Sequence, residues 1–219
     1  MDNFVSNLLP DLGKAFVETF EMVGISLAIS LLAGTPLGIF LFITDKGSFL
    51  KSRFLNAVGG LTVNVVRSIP FVILLVLLLP FTQKIVGTTI GPLSASVPLS
   101  VTAVAFFARL VEASLREVDR GVIEASVAMG ASLWQIIVHV LLVEARPGIL
   151  RGVTVTAVSL IGYSAMAGVV GGGGVGDLAI RFGYYRYQTD VMVCTVVALI
   201  LLVQAVQTAG DAAANRADK

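Results

Sequence analysis

Few side chains in this 219-residue sequence could take part in covalent chemistry, and none has the sequence neighbours that such chemistry needs. Ser164 lies in Gly162-Tyr-Ser-Ala-Met166, which lacks the final glycine of a nucleophile elbow, and no base accompanies it. The lone histidine, His139, has apolar neighbours, and the lone cysteine, Cys194, lies in an apolar run without metal-ligand spacing. We predict no catalytic residue and no metal site.

Two glycine-rich signatures bear on nucleotide binding. Residues 171–176 formally match G-x-G-x-x-G, but a dinucleotide site needs a strand before it, and an apolar helical segment precedes it here. A flexible external turn, touching a substrate-delivery protein, is the better interpretation. No stretch fits G-x-x-x-x-G-K-[ST], so we predict that the chain itself binds no cofactor.

Arg67 is the one charge deep in an apolar stretch. A charge at that position is costly unless it faces water or a partner, so it is a candidate functional residue. The alternative is a structural arginine that pairs with backbone carbonyls or a neighbouring span, near Asn64 or Ser68. Pro70 follows closely and is expected to bend the segment, because it removes a backbone hydrogen bond.

The amino-acid composition predicts a membrane protein. Hydrophobic residues make up 56% of the chain and charged residues 13%, about half the charged share of a soluble domain. A soluble protein of this length could not hide so much apolar surface. The net charge of +1, without a basic stripe, gives no reason to expect nucleic acid.

Five stretches are long and apolar enough to span a membrane as helices, since a span needs about 20 mostly apolar residues. They are 22–43, 54–81, 94–110, 152–170 and 191–209. The third is the shortest, but without it the charged segments on either side would lie on the wrong faces. We therefore predict an all-α integral membrane protein with about five transmembrane helices.

Lysine and arginine orient these spans, because cytoplasmic loops carry an excess of positive residues. With the N-terminus outside, ten basic residues lie inside and four outside, and the reverse orientation inverts this bias. The inner set is Lys46, Lys51, Arg53, Arg109, Arg116, Arg120, Arg146, Arg151, Arg216 and Lys219, and the outer set is Lys14, Lys84, Arg181 and Arg186. We predict an N-out, C-in chain.

A single membrane domain is predicted for residues 1–219, since the sequence has no linker, low-complexity tract or internal repeat. Before the first span, residues 1–21 carry apolar side chains at roughly helical spacing. This pattern favours a helix that lies in the membrane interface.

The segment 116–143, on the predicted cytoplasmic side between spans three and four, should form two short helices around a hinge. Asp119 can cap the first helix, and Gly130 supplies the left-handed residue that commonly ends one. Such an amphipathic pair could rest on the membrane surface or dock into a partner, and spacing alone leaves both open.

The second of these helices is predicted over Leu133–Leu142. Ser132 and Gln135 have the spacing of a capping box, which would start it. Residues 146–148, Arg-Pro-Gly, then separate it from the fourth span.

Residues 124–130 resemble the signature loop of bacterial ABC-importer permeases, which is Glu-Ala-Ala, three residues, Gly, and later Ile-x-Leu-Pro. Ser126 replaces the second alanine, and Val143 stands where that family usually has proline. In that family the loop inserts into a cleft of a cytoplasmic ATPase and transmits its motion. The docking residues that the resemblance implies are Glu124, Ala125, Ser126, Gly130 and Trp134.

Four other segments are similar to segments of methionine-importer permeases. These segments are Arg67–Phe71, Gly162–Met166, the glycine run (171–176) and Phe182–Tyr185. The resemblance implies a translocation pathway lined by Arg67, Ser68, Tyr163, Ser164 and Met166. Met166 would be an apolar gate residue, for which a flexible thioether is suited. For the span-four residues helix packing stays an equal alternative, because small residues there let helices approach.

The resemblance thus implies the permease subunit of an ATP-driven importer of the bacterial inner membrane, translocating L- or D-methionine or close derivatives. Implied partners are a second copy of the chain, two ATPase subunits carrying ATP and Mg, an extracytoplasmic binding protein and lipid. Another amino acid or small metabolite is the alternative cargo. A secondary transporter that works without ATP should carry Asp or Glu within a span, and the predicted spans contain none.

Overall fold

The computed structural model describes residues 2–45, 49 and 52–218, and every regular element in them is helical. In chain order the α-helices are α1 (Asp2–Ile29), α2 (Thr35–Thr44), α3 (Arg53–Ser68), α4 (Phe71–Val86), α5 (Pro92–Arg116), α6 (Arg120–Ala128), α7 (Leu133–Gln135), α8 (Leu142–Glu144), α9 (Arg146–Gly168), α10 (Gly174–Leu178) and α11 (Thr189–Ala217). Three π-helical turns, Ser30–Gly34, Ile136–Leu141 and Ala179–Tyr184, connect or extend them.

Four helical runs in the described chain are long and apolar enough to cross a membrane. They are Pro10–Thr44, Pro92–Arg116, Arg146–Gly168 and Thr189–Ala217. The bent pair Phe54–Ser68 and Phe71–Val86 makes a fifth if it is counted as one span. The prediction of an all-helical chain with about five spans is confirmed.

The first span begins earlier than the sequence suggested. A separate interfacial helix over residues 1–21 was expected, but α1 continues without a break past residue 21 and joins α2 through the π turn. That turn ends two residues before Pro36, and the helix continues through this residue, which has no N–H group.

The second predicted span, 54–81, is two helices. They meet at an angle of 108° at Ile69 and Pro70. Ile69 has extended dihedral angles (φ −82°, ψ 125°), as expected for a residue before proline, and this ends α3. The Pro70 carbonyl then accepts hydrogen bonds from the N–H groups of Ile73 and Leu74, at 2.9 and 3.0 Å, which start α4. Proline therefore breaks this span as well as bending it.

The third span, the shortest in the sequence, is the central helix. It extends to Arg116, six residues beyond the predicted end, and 67% of its most apolar stretch is buried, against 11% for the last span. Serine, alanine and threonine on α5 let α1, α2, α3, α4 and α9 pack around it.

The fourth span also begins early. Arg146, Pro147 and Gly148 were expected to separate it from the preceding helix, but they form the first turn of α9. Proline is favoured there, because the first N–H groups of a helix have no acceptor within it.

Contacts between distant segments define two ends of the bundle. At one end the Gly91 N–H donates to the Gly171 carbonyl (2.9 Å), and Glu18 Oε2 accepts from the Gly174 N–H (2.8 Å). At the other end Arg116 pairs with Asp45 (2.9 Å) and Arg151 pairs with Asp218 (3.6 Å). The N-terminal part of α1 and the glycine run therefore lie opposite the α6–α8 segment and the C-terminus.

The glycine run is packed against the bundle, whereas a flexible turn was expected. Gly174 and Val175 donate their N–H groups to Glu18 and to Thr19 Oγ1. Gly176 lies so close to Ala165 that a side chain at residue 176 would overlap it. Glycine is needed at residue 176 because α10 approaches α9 with no room for a β-carbon.

Candidate functional site

The hinge of the α6–α8 segment has the local geometry that its sequence predicts. Asp119 Oδ1 accepts a hydrogen bond from the Gly121 N–H at 2.6 Å and caps α6. Gly130 ends that helix with φ +82°, and the capping box between Ser132 and Gln135 is present. The second helix continues through the π turn to Glu144, two residues beyond the expected end. The angle between the two short helices is therefore fixed by short-range hydrogen bonds.

The second helix of this segment is anchored to the end of α5. Ile136, Ile137 and Leu141 are buried in one apolar cluster with Val111 and Leu115 of the central helix. Because the two helices share a close-packed core, a force on the α6–α7 hinge reaches α5 without an intervening flexible joint.

The opposite face of the hinge is exposed and apolar. Val127 is 53% exposed, Met129 81% and Trp134 72%. Three further residues beside them are exposed, and they are Glu124, Ala125 and Gly130. We call these six residues the hinge patch. Large apolar side chains that project together from a short helical hairpin are typical of a binding surface.

Ser126 is the exception among the residues expected at the hinge. It is 5% exposed, and its hydroxyl donates to the Val122 carbonyl at 2.8 Å. Ser126 therefore faces the rest of the protein and supports the hinge patch from beneath.

Arg67 and Ser68 lie at the break between α3 and α4, and both are exposed. The Ser68 hydroxyl donates to the Asn64 carbonyl at 2.8 Å. The Arg67 guanidinium lies 5.9 Å from the centre of the Phe106 ring, a cation–π distance at the outer limit. Neither Asn64 nor Ser68 binds Arg67 in the described structure, so the expected structural pairing with them is absent there.

The span-four residues divide between surface and core. Tyr163 stacks on Phe71, the first residue after the break, with ring centres 5.0 Å apart, so α9 lies beside the broken span. Met166 is 46% exposed. Ser164 is buried, and its hydroxyl donates to the Ile161 carbonyl at 2.8 Å, so it contributes to helix packing.

The sequence analysis did not predict an ionic cluster that lies at the C-terminal end of α5. The Glu112 carboxylate, 5% exposed, accepts hydrogen bonds from Arg109 (2.6 Å) and Arg116 (2.7 Å). Arg116 also pairs with Asp45, while Arg109 donates to Gly60 and Asn64 of α3 at 3.1 and 3.0 Å. The cluster joins three helical segments around one buried carboxylate.

The helix of span three includes one acidic residue. Span three was predicted to end at residue 110, whereas α5 runs through Arg116 and includes Glu112. The spacing of Arg109, Glu112 and Arg116, three and four residues apart, could have predicted the cluster, because such positions adjoin on a helix. Two arginines neutralise the carboxylate, which is unlike the free acid of a proton-coupled carrier.

The comparison with protein families decides the class. The model of the binding-protein-dependent transport system inner membrane component matches residues 34–219. The chain belongs to this family. As a member it is a membrane component of a transport system, which agrees with the apolar spans and with the prediction that it is not an enzyme.

Relatives from two bacteria extend the match to the segment before residue 34. The probable D-methionine transport system permease protein MetI of Vibrio cholerae is 50% identical over 201 residues, which cover 92% of this chain and 89% of the relative. The methionine import system permease protein MetP of Bacillus subtilis is 45% identical over 211 residues, covering 96% and 95%.

Solved structures share the fold. A chain of the MetNI methionine ABC transporter in an inward-facing conformation is 42% identical and aligns with a TM-score of 0.95, covering 97% of this chain and 99% of that one. An amino acid ABC transporter crystallised with histidines aligns at 0.79 over 97% and 96%, but at 17% identity this likeness concerns the fold alone.

Proposed function

We propose that this chain is the membrane-spanning permease subunit of an ATP-driven importer for methionine, in its L or D form, or for close derivatives. Membership of the transport family supports the class. The methionine cargo is supported by the relatives and by the solved chain that is 42% identical, each of which carries methionine in its name.

The observation that carries the proposal is the hinge patch. Val127, Met129 and Trp134 project from a capped helical hairpin whose other face is packed on α5. An exposed tryptophan within a fixed apolar surface has the properties of an interface hot spot. The occupant we propose is a cytoplasmic ABC ATPase, which holds ATP and Mg, since no P-loop sequence is present in this chain.

We propose that the hinge patch lies in the cytoplasm and the N-terminus outside. The bundle end with the α6–α8 segment also holds the C-terminus, and it carries Arg116 and Arg151, which belong to the larger set of basic residues. That distribution follows the excess of positive charge in cytoplasmic loops. The glycine run and the N-terminal part of α1 then face an extracytoplasmic substrate-binding protein.

Transport then follows a mechanical sequence. Two copies of the chain pair around a central pathway, and each docks on one of two ATPase subunits. Closure of the ATPases on ATP moves the hinge patches, and the shared core of the second loop helix and α5 carries that movement into the spans. The pathway opens outward to accept substrate, and hydrolysis resets it.

Four residues at the break and in span four are proposed to line this pathway. Arg67, Ser68, Tyr163 and Met166 lie on or beside the broken span, with Met166 as an apolar gate. Ser164 acts there through packing, because it is buried.

The test is purification of the tagged chain from native membranes in mild detergent, followed by uptake of labelled methionine. We expect one P-loop ATPase per permease chain and uptake that requires ATP. Trp134→Ala should reduce the recovered ATPase at least tenfold, since a hot-spot residue contributes about 2 kcal/mol or more. His139→Ala is the matched control, because His139 is exposed on the same helix outside the hinge patch.

Two outcomes would redirect the proposal. A chain that purifies alone and transports without ATP would be a secondary transporter, and the account of the hinge patch would then be wrong. A complex that contains the ATPase but imports a different amino acid would keep the mechanism and change the cargo.

A further inference from the structure

Arg67 is the only charged residue between Arg53 and Lys84. It lies about 21 Å along α3 from the first residue of that helix, at a rise of about 1.5 Å per residue. An arginine at such a depth is stable only where water or a counter-ion reaches it.

The structure gives Arg67 no counter-ion among the described residues. The side chain of Asn64, one turn away, is bound by Arg109, and the Ser68 hydroxyl donates to the Asn64 carbonyl. Arg109, in contrast to Arg67, has partners within the protein, because its guanidinium binds Glu112 and the Gly60 carbonyl. Among the described residues the Arg67 guanidinium has only the distant Phe106 ring beside it, and Arg67 is exposed.

The position of Arg67 at the break distinguishes it from an arginine that faces lipid. α3 ends one residue after it, and α4 leaves at 108°. Phe71 then stacks on Tyr163 of α9, so two spans meet beside the arginine. A break of this kind interrupts the apolar helix surface, and irregular backbone within a membrane protein is tolerated where it lines a cavity.

We propose that Arg67 binds the carboxylate of the amino-acid substrate as it crosses the membrane. The inference rests on the proposed import of an amino acid and names the group of the substrate that is recognised. A guanidinium can form two parallel hydrogen bonds to a carboxylate, a geometry that an ammonium group cannot reproduce. L and D forms present the same carboxylate, so this contact selects amino acids without selecting their stereochemistry.

The test uses chemical rescue, which the single native cysteine makes practicable. In a Cys194→Ser background, Arg67→Cys is assembled with its ATPase and binding protein in proteoliposomes. Aminoethyl methanethiosulfonate then returns a positive charge to residue 67, whereas methyl methanethiosulfonate adds a neutral group of small size. Thr62→Cys, on the exposed surface of the same helix, is the control for both reagents.

We expect Arg67→Cys to lower the maximal uptake rate about ten- to a hundredfold, as for a lost charged hydrogen bond, while KM stays near the parent value. The aminoethyl reagent should restore part of the rate, because an ammonium group returns the charge without the two parallel hydrogen bonds, and the methyl reagent should restore none. Neither reagent should affect Thr62→Cys. Arg67→Lys should retain part of the rate, which provides a second measurement if the cysteine variant does not assemble.

A rate unchanged by Arg67→Cys, or equal rescue by the two reagents, would overturn the assignment of Arg67 and leave the importer proposal intact. A mixture of labelled amino acids is assayed beside methionine, so that a different amino-acid cargo still tests Arg67. A parent complex that takes up no amino acid would overturn both proposals.

Discussion

At the scale of single residues, the buried carboxylate of Glu112 is the centre of an ionic cluster that joins three helical segments. Two arginines bind it, and through them it connects α5 with Asp45 after α2 and with Gly60 and Asn64 of α3. Because the carboxylate is 5% exposed, its loss would leave two guanidinium groups without their shared acceptor.

Glu112→Gln is therefore expected to destabilise the protein by about 1.5–3 kcal/mol, the range for hydrogen bonds to charged groups, with Arg116 contributing less because solvent reaches it. Thermal unfolding of the purified permease in detergent measures the change. Glu117→Gln, an exposed glutamate directly after α5, is the control. Equal melting temperatures for the two variants would mean that the cluster does not stabilise the fold.

Gly130 is the second residue whose identity is dictated by the structure. Its φ of +82° costs other residues about 1–2 kcal/mol, whereas no atom lies within 4 Å of the position that a β-carbon would take. Gly130→Val should change the angle of the hinge and lower ATPase recovery, and Gly130→Asn should retain recovery because asparagine visits this conformation. Equal loss in both variants would indicate that contact at residue 130, and not its backbone angle, matters.

At the scale of elements, glycine sets how closely α2 and α5 pack. A β-carbon at Gly38 would lie 2.6 Å from the Ala108 carbonyl oxygen and 2.7 Å from Val111 Cβ. Small residues at helix crossings allow this approach, and van der Waals contact then holds the helices together in the absence of a hydrophobic driving force.

Gly38→Val is expected to force α2 away from α5 and cost about 1–3 kcal/mol, as for other overpacked sites. Gly24→Val, in the same first span with no atom within 4 Å of its β-carbon position, is the matched control. Differential scanning fluorimetry in detergent compares the two variants. If Gly24→Val melts at as low a temperature as Gly38→Val, the loss of stability comes from valine in the helix and not from the contact between α2 and α5.

In the broken span, the sequence predicts the position of the break more easily than the angle between its two helices. Pro70 indicated a disturbance near residue 70, and the helix does end there. The angle of 108° depends on what α4 packs against, which includes α5 and the Tyr163 ring of α9. Local sequence determines where a helix stops, but tertiary contacts determine where the chain goes next.

At the scale of the whole molecule, the two ends of the bundle lead to a prediction about orientation. In a Cys194→Ser background, Asp11→Cys should react with a membrane-impermeant maleimide in intact spheroplasts. Glu117→Cys should react only after permeabilisation, because cytoplasmic positions are enriched in positive charge and its end of the bundle carries most of it. The reverse labelling pattern would place the hinge patch outside the cell and exclude a cytoplasmic ATPase as its partner.

The sequence by itself determined the membrane class, the number of apolar spans and the caps of the hinge. These features depend on composition and on residues up to four positions apart, so they can be recognised without the fold. The fates of individual polar residues could not be predicted in this way. Ser126 and Ser164 are buried, and Glu112 is enclosed within a helix that was expected to end before it.

Tertiary structure decided these cases because the partners are distant in sequence. Arg109 binds a carbonyl 49 residues away, and Glu18 binds an N–H group 156 residues away. Whether a charge within an apolar span is paired or open depends on such contacts, since burial without a partner is costly. For the same reason the sequence could identify Arg67 as a candidate functional residue, but it could not show whether Asn64 binds Arg67. Only the fold shows that the Asn64 side chain binds Arg109.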